Sequence, residues 1–410
     1  MTPSNPSINR TTGPALALAV ALTLPGTAMA ETNPYYVGVT QAIGHDSNIK
    51  KAPGGSPFVE SDMYSSTGLV AGFDQPIGRQ RVYANASVRR NAFQDFKNES
   101  NTGYGLAAGL DWSSVEHLSG NLLLGANRSL SYGTTSQAVS DQNIEKNNQL
   151  AARVQYGLAE LTALEANYSH REVRYSSATY SSSNLDQNAL SLGAKHSLGG
   201  QLTIGAAVRA TRGHYTVYDF DRNDIDLTAN WVATGASTLS ARLSYGRQDN
   251  SGATPDFSGV TGQLNWVYRP TGKLSFVTTL SRDTGAESGF FEYFDAQNQF
   301  TKATGATQYN RVTTALSVSA NYAVTAKINA NALVRNARRS FDGIGAGLLG
   351  PIPFTGSDNL TVMTFGVTYE PTRNWLLGCS ASRESRTQNG TGSYAYGSTG
   401  ASCSAQFVIK

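Results

Sequence analysis

Eight arginines recur on the polar side of alternating segments: Arg89, Arg153, Arg171, Arg209, Arg242, Arg269, Arg311 and Arg335. A guanidinium is a rigid fork of N–H donors that matches carboxylate and phosphate. Lining a pore, such groups select for anionic or hydroxyl-rich solutes, because rings of charged side chains set pore selectivity. They can equally brace a wall by pairing with Asp111, Glu165, Asp224 and Asp226, and the two roles are compatible.

A second candidate is the segment near residues 284–305, with Phe290, Phe291, Tyr293 and Phe294 followed by Phe300. Aromatics on a water-exposed loop are unfavourable unless they pack. The loop is therefore expected to fold inward, as a small core of its own or as a sugar-stacking surface or gate. Gly343 to Pro353, with Leu348 and Leu349, reads as a second, flexible gate.

Other chemistry is thinly represented. His45, His117, His170, His196 and His214 are scattered, with no Ser or Cys nucleophile signature or paired carboxylates beside them, so no enzyme and no cofactor are expected. Asp219, Asp221, Asp224 and Asp226 offer oxygen ligands for calcium but lack EF-hand spacing. They read as a solvated acidic loop, and no metal is expected. Cys379 and Cys403 lie on the apolar faces of the last two segments, symmetric about Thr391. A regular register opposes them, as a disulfide or as two separate small apolar residues facing lipid.

What positions these residues is an alternation with a period of two. Leu202, Ile204, Ala206, Val208 and Ala210 share one face, and Thr203, Gly205, Arg209 and Thr211 the other. Ile225, Leu227, Ala229 and Trp231 likewise oppose Asp224, Asp226, Thr228 and Asn230. That period places each set on one side of a pleated strand. Eighteen such segments fit between Pro34 and Lys410, joined by links that alternate between short and long. Short ones include Gly199-Gly200, Thr234-Gly235-Ala236 and Pro371-Thr372-Arg373; long ones lie near residues 44–61, 132–143, 214–222 and 340–357, among others. This predicts an all-β fold: a single-chain transmembrane antiparallel up-and-down barrel with short periplasmic turns and long extracellular loops.

A soluble sandwich would share the period, and the aromatics separate the two. Trp112, Trp231, Trp266 and Trp375 all lie on the apolar face within a few residues of a short turn, joined by Tyr156, Tyr268, Tyr322 and Tyr369. Rings at that depth form a membrane girdle, because their amphipathic edges favour the headgroup layer. A sandwich would concentrate them mid-strand.

Residues 1–30 read as a cleaved signal peptide: Arg10, an apolar stretch from Ala15 to Leu24, and the small-x-small Ala28-Met29-Ala30. Residues 31–410 read as one barrel domain. Beyond the leader no apolar run reaches the roughly eighteen residues of a membrane helix. Two cysteines fit an oxidising compartment that does not rely on disulfides. A net charge of +3 leaves no nucleic-acid footprint. The expected location is the bacterial outer membrane.

The start Asn33-Pro34-Tyr35-Tyr36-Val37-Gly38-Val39, the segment Gly44-His45-Asp46-Ser47-Asn48-Ile49, and the stretches Val82 to Arg90 and Tyr104 to Trp112 resemble the outer-membrane β-barrel porin 2 family, which includes exopolysaccharide-operon barrels. The resemblance implies an exit channel for exopolysaccharide or capsular polysaccharide, working with a periplasmic polysaccharide-export protein. The terminus departs from the usual barrel pattern, with Phe407-Val408-Ile409-Lys410 in place of a final aromatic residue. A general or anion-preferring diffusion porin is the alternative reading, and a non-conducting surface or adhesion barrel the next.

Overall fold

The computed structural model describes residues 33–115, 117–131, 142–157, 161–216, 218–251, 255–284, 310–347, 350–390 and 393–410. The expected leader lies outside them. Eighteen strands follow one another: β1 (Tyr35–Asp46), β2 (Asp62–Ile77), β3 (Gln80–Phe93), β4 (Asn101–Ser113), β5 (Leu118–Leu130), β6 (Ile144–Gly157), β7 (Thr162–Tyr175), β8 (Leu185–Leu198), β9 (Leu202–Tyr215), β10 (Asp219–Thr234), β11 (Ser237–Asn250), β12 (Phe257–Tyr268), β13 (Leu274–Asp283), β14 (Asn310–Ala323), β15 (Ile328–Gly347), β16 (Gly350–Thr372), β17 (Trp375–Gly390) and β18 (Tyr396–Ile409).

Each strand pairs antiparallel with the next, and β18 returns to pair with β1 from Val37 opposite Ile409 to Asp46 opposite Gly400. Closure leaves no edge, so every spanning N–H and C=O finds a partner without water. No helix among the described residues is long and apolar enough to cross a membrane. Crossing therefore falls to the strands.

The alternation resolves into an outside and an inside. Leu69, Val208, Ile225, Leu243 and Leu316 stand exposed on the outer face, whereas Ser66, Thr211, Asp224, Ser244 and Ser319 are buried on the inner one. An apolar exterior with a polar lumen is the arrangement that lipid outside and water inside select. The protein is an outer-membrane β-barrel.

Short turns close one end. Between β8 and β9, Gly199 and Gly200 take φ of 65° and 76°, a left-handed pair that side chains disfavour. All four tryptophans face outward beside such turns. Trp266 stacks on Tyr268 at 5.3 Å and donates from Nε1 to Ser237 Oγ at 2.9 Å. Trp375 packs against Phe407 at 5.1 Å. Trp112 covers Gly120, its partner on β5, where an added Cβ would lie 2.7 Å from the indole.

Two links differ from the sequence expectation. The expected loop at 214–222 is mostly strand, with only residues 216–218 between β9 and β10. The expected gate at Gly343 to Pro353 is flanked by paired strand, whose register runs to Gly347 opposite Gly350, while its Leu348 and Leu349 lie outside the described residues. Its Gly and Pro content pointed to a loop, yet β16 gains β17 as a partner only from Gly356 onward. Pro351 and Pro353 thus lie on an unpaired edge, where proline's missing N–H breaks no ladder.

Candidate functional site

The lumen wall is densest in charge where β9, β10 and β11 adjoin. Arg209 donates from Nε to Asp226 Oδ2 at 2.9 Å and from Nη2 to Oδ1 at 3.1 Å, and Nη2 also lies 3.2 Å from Asp224 Oδ2. Arg222 holds Asp224 through Nε at 2.9 Å and Nη2 at 2.7 Å, and reaches Thr284 Oγ1 with Nη1 at 2.8 Å. Arg242 Nη1 donates to Ser244 Oγ at 2.7 Å and lies 3.5 Å from Asp226 Oδ1. The Arg209 side chain is 1% exposed, so these charges survive burial because they are paired and hydrogen-bonded. Arg209 and Arg242 brace the wall with Asp224 and Asp226.

A second group lies nearer the turn end, on β6, β7 and β8. Arg153 Nε donates to Asn167 Oδ1 at 3.0 Å and lies 3.7 Å from Glu165 Oε2, which also pairs with Lys195. Asn167 Nδ2 donates to Glu165 Oε1 at 2.8 Å. Two cations share one carboxylate, and their side chains remain 36% and 31% exposed to the lumen. This group can meet a solute.

A third group fills the upper lumen beside β15 to β18. Arg339 grips Asp358, to which Ser393 Oγ donates at 2.6 Å. Arg386 lies over Tyr396 at 4.6 Å and Tyr394 at 5.6 Å, and Tyr396 Oη donates to Glu384. Leu360, Val362, Tyr394 and Tyr396 form an apolar cluster there. It packs one side of the mouth.

The outer links join around that mouth. Asn48, buried in the β1–β2 link, donates from Nδ2 to Ala52 O at 2.9 Å and Gly397 O at 3.1 Å, and Lys51 Nζ lies 2.7 Å from Asp46. The β1–β2 link also sets Lys50 over Phe96, 4.7 Å from the ring centre, beside a 3₁₀ turn at Lys97–Glu99. Thr216 Oγ1 donates to Ser181 O at 2.7 Å, tying the β9–β10 link to a 3₁₀ segment at Ala178–Ser183. Tyr180 in that segment lies within electrostatic range of Tyr394. The links that hold these two tyrosines are ten strands apart one way round the ring and eight the other. Both side chains are buried inside the ring. Burial, above all, raises the Tyr394 hydroxyl above an ordinary tyrosine.

The remaining sequence candidates divide. Arg89 and Arg171 face inward, and Arg335 is exposed on the inner face. Arg269 sits just past β12, on the turn-side rim, with its N–H on Ala236 O at 2.7 Å. Arg311 pairs in register with Phe341, an inward position, but its side chain lies outside the described residues. Phe290, Phe291, Tyr293 and Phe294 lie outside them too. The four aspartates split by parity: Asp224 and Asp226 point inward, whereas Asp221 and Asp219 point outward to Arg212 and His214. They cannot share one cation, and no metal-binding group occurs among the described residues. Cys379 and Cys403 form a disulfide.

Lys195, Arg222, Arg339, Asp358 and Arg386 escaped the sequence reading. Parity held the signal, since each belongs to the inward set of its strand.

No protein-family model matches the chain, and no curated protein matches it in sequence. Among solved structures it is similar to the outer membrane protein OpdK of Pseudomonas aeruginosa, at 14% identity and a TM-score of 0.46 over 92% of this chain and 99% of that one. It is also similar to OccK2 (OpdF) of the same organism, at 11% and 0.47 over 92% and 98%. The siderophore receptor PirA of Pseudomonas aeruginosa gives 10% and 0.39 over 93% and 81%. Identities and TM-scores are low in all three.

Proposed function

We propose that the barrel is a gated, anion-preferring diffusion channel for small polar solutes. The carrying observation is the group on β6, β7 and β8, where Arg153 and Lys195 share the single carboxylate of Glu165 and stay open to the lumen. An excess cation on a wetted wall attracts anions and repels cations. The outer links narrow the path, with Tyr180 and Tyr394 buried on nearly opposite sides of it.

Reversal potentials in planar bilayers under a potassium chloride gradient test this reading. The wild-type barrel should favour chloride, and R153S/K195S should move toward no preference. A cation-selective or non-conducting wild type overturns it.

Polysaccharide export is the second reading, and it rests on the resemblance of the chain's start and of Gly44 to Ile49. Within that segment Asp46 and Asn48 hold the β1–β2 link in place, a structural task. Block of conductance by added polymer, without passage of small anions, would favour export over diffusion.

A further inference from the structure

Every strand that rises from the short-turn end carries an outward-facing basic residue eight to twelve residues after its first. On β1 it is His45, and on the eight others it is arginine. A strand rises about 3.3 Å per residue and tilts by about 40°, so this ring stands roughly 20 to 25 Å above the tryptophan girdle. That is the height of the apolar band. The ring marks the outer headgroup layer.

Its two halves differ. On β7, β9 and β11, Arg174, Arg212 and Arg247 are neutralised by Asp186 at 2.5 Å, Asp221 at 2.9 Å and Asp249 at 2.7 Å. From β13 through the β18–β1 seam to β5, Arg282, Arg338, Arg383, Arg90 and Arg128 have no carboxylate at ion-pair distance among the described residues. The arc ends in a conflict: Arg128 directly opposes Lys146 on β6, which directly opposes Arg174 on β7. Like charges directly opposed destabilise a sheet unless an anion lies between them. Arg174 has Glu172 and Asp186; among the described residues Arg128 and Lys146 have no such partner.

We propose that this arc, with Arg128 and Lys146 at its end, docks the phosphate groups of outer-leaflet lipid headgroups. Basic side chains at an anionic lipid surface each contribute about 1 kcal/mol, or about fivefold in affinity. The half with built-in carboxylates has no such demand. The surface is independent of what passes through the lumen.

The experiment is native mass spectrometry of the detergent-solubilised full barrel titrated with bisphosphorylated lipid A, with dephosphorylated lipid A of the same acyl chains, and with inorganic phosphate. Bisphosphorylated lipid A should bind at least tenfold more tightly than its dephosphorylated form, and R90S/R128S/K146S should lose that preference while R212S/R247S keeps it. Equal binding of both lipid forms, or an unaffected arc variant, overturns the proposal. Equal occupancy by inorganic phosphate overturns the lipid source. Should the triple variant not fold, K146Q alone decides: it should melt above wild type in lipid-free detergent and below it with lipid A. A shift of the same sign in both overturns the proposal.

Discussion

Cys379 on β17 directly opposes Cys403 on β18, and the disulfide joining them stands on the face that meets lipid. Cys403 is also opposite Ile43 of β1, so the link staples the hairpin that closes the barrel. Loop-closure entropy for a separation of 24 residues gives roughly 3 to 4 kcal/mol. C379S/C403S should lower the unfolding free energy in urea by about that amount, and an unchanged midpoint contradicts it. In bilayers a hydrophilic reductant should not open the bond until the barrel unfolds, read by thiol alkylation and gel mobility.

Removing Asp226 leaves Arg209, Arg222 and Arg242 around the one remaining carboxylate of Asp224. A buried charge that loses its partner costs about 3 to 5 kcal/mol. D226N should therefore unfold at markedly lower urea. R153S removes a cation that is itself 36% exposed and leaves Glu165 its partner Lys195, so it should change ion preference with little change in stability. Equal stability losses in the two variants would contradict this division between wall and path.

How much of this was legible in sequence depends on what parity can carry. Val208 and Ile225 facing lipid, with Arg209 and Asp224 facing in, follow from a period of two alone. So does the opposition of Cys379 and Cys403, which needs only a symmetric hairpin. The partition of arginines into buried and open was not legible, because it depends on neighbours: Arg209 has Asp224 and Asp226 beside it on β10, whereas Arg153 has Asn167 directly opposite. The outward ring was present in the sequence as a basic residue ending each apolar alternation, as in Val88 to Arg90 and Leu280 to Arg282. The Gly343–Pro353 pairing was not legible, because composition reports turns but not the ladder available beside them.

Tyr180 and Tyr394 come from nearly opposite links and are both buried inside the ring. Side chains that crowd a mouth limit its conductance, so Y394A should raise single-channel conductance in planar bilayers. A bulk-preserving Y394F should not. If Y394A conducts as wild type does, the narrowest point lies elsewhere.

Glu99, in the 3₁₀ turn between β3 and β4, is buried, and burial raises its carboxyl above the ordinary glutamate range while the charge of Lys50 draws it down in part. A carboxyl raised on folding binds its proton more tightly in the docked link than in the free one. Docking is therefore fully supported below the ordinary glutamate range, and that support is lost as pH rises through the raised value. Limited proteolysis of the β3–β4 link should quicken between acidic and neutral pH in the wild type. E99Q, which cannot ionise, should show a flat profile, and K50M should move the wild-type transition to higher pH because the attraction holding the anion is gone. A wild type as flat as E99Q would mean that Glu99 exchanges with water and that the link docks through Phe96 and its hydrogen bonds to Asp62 alone.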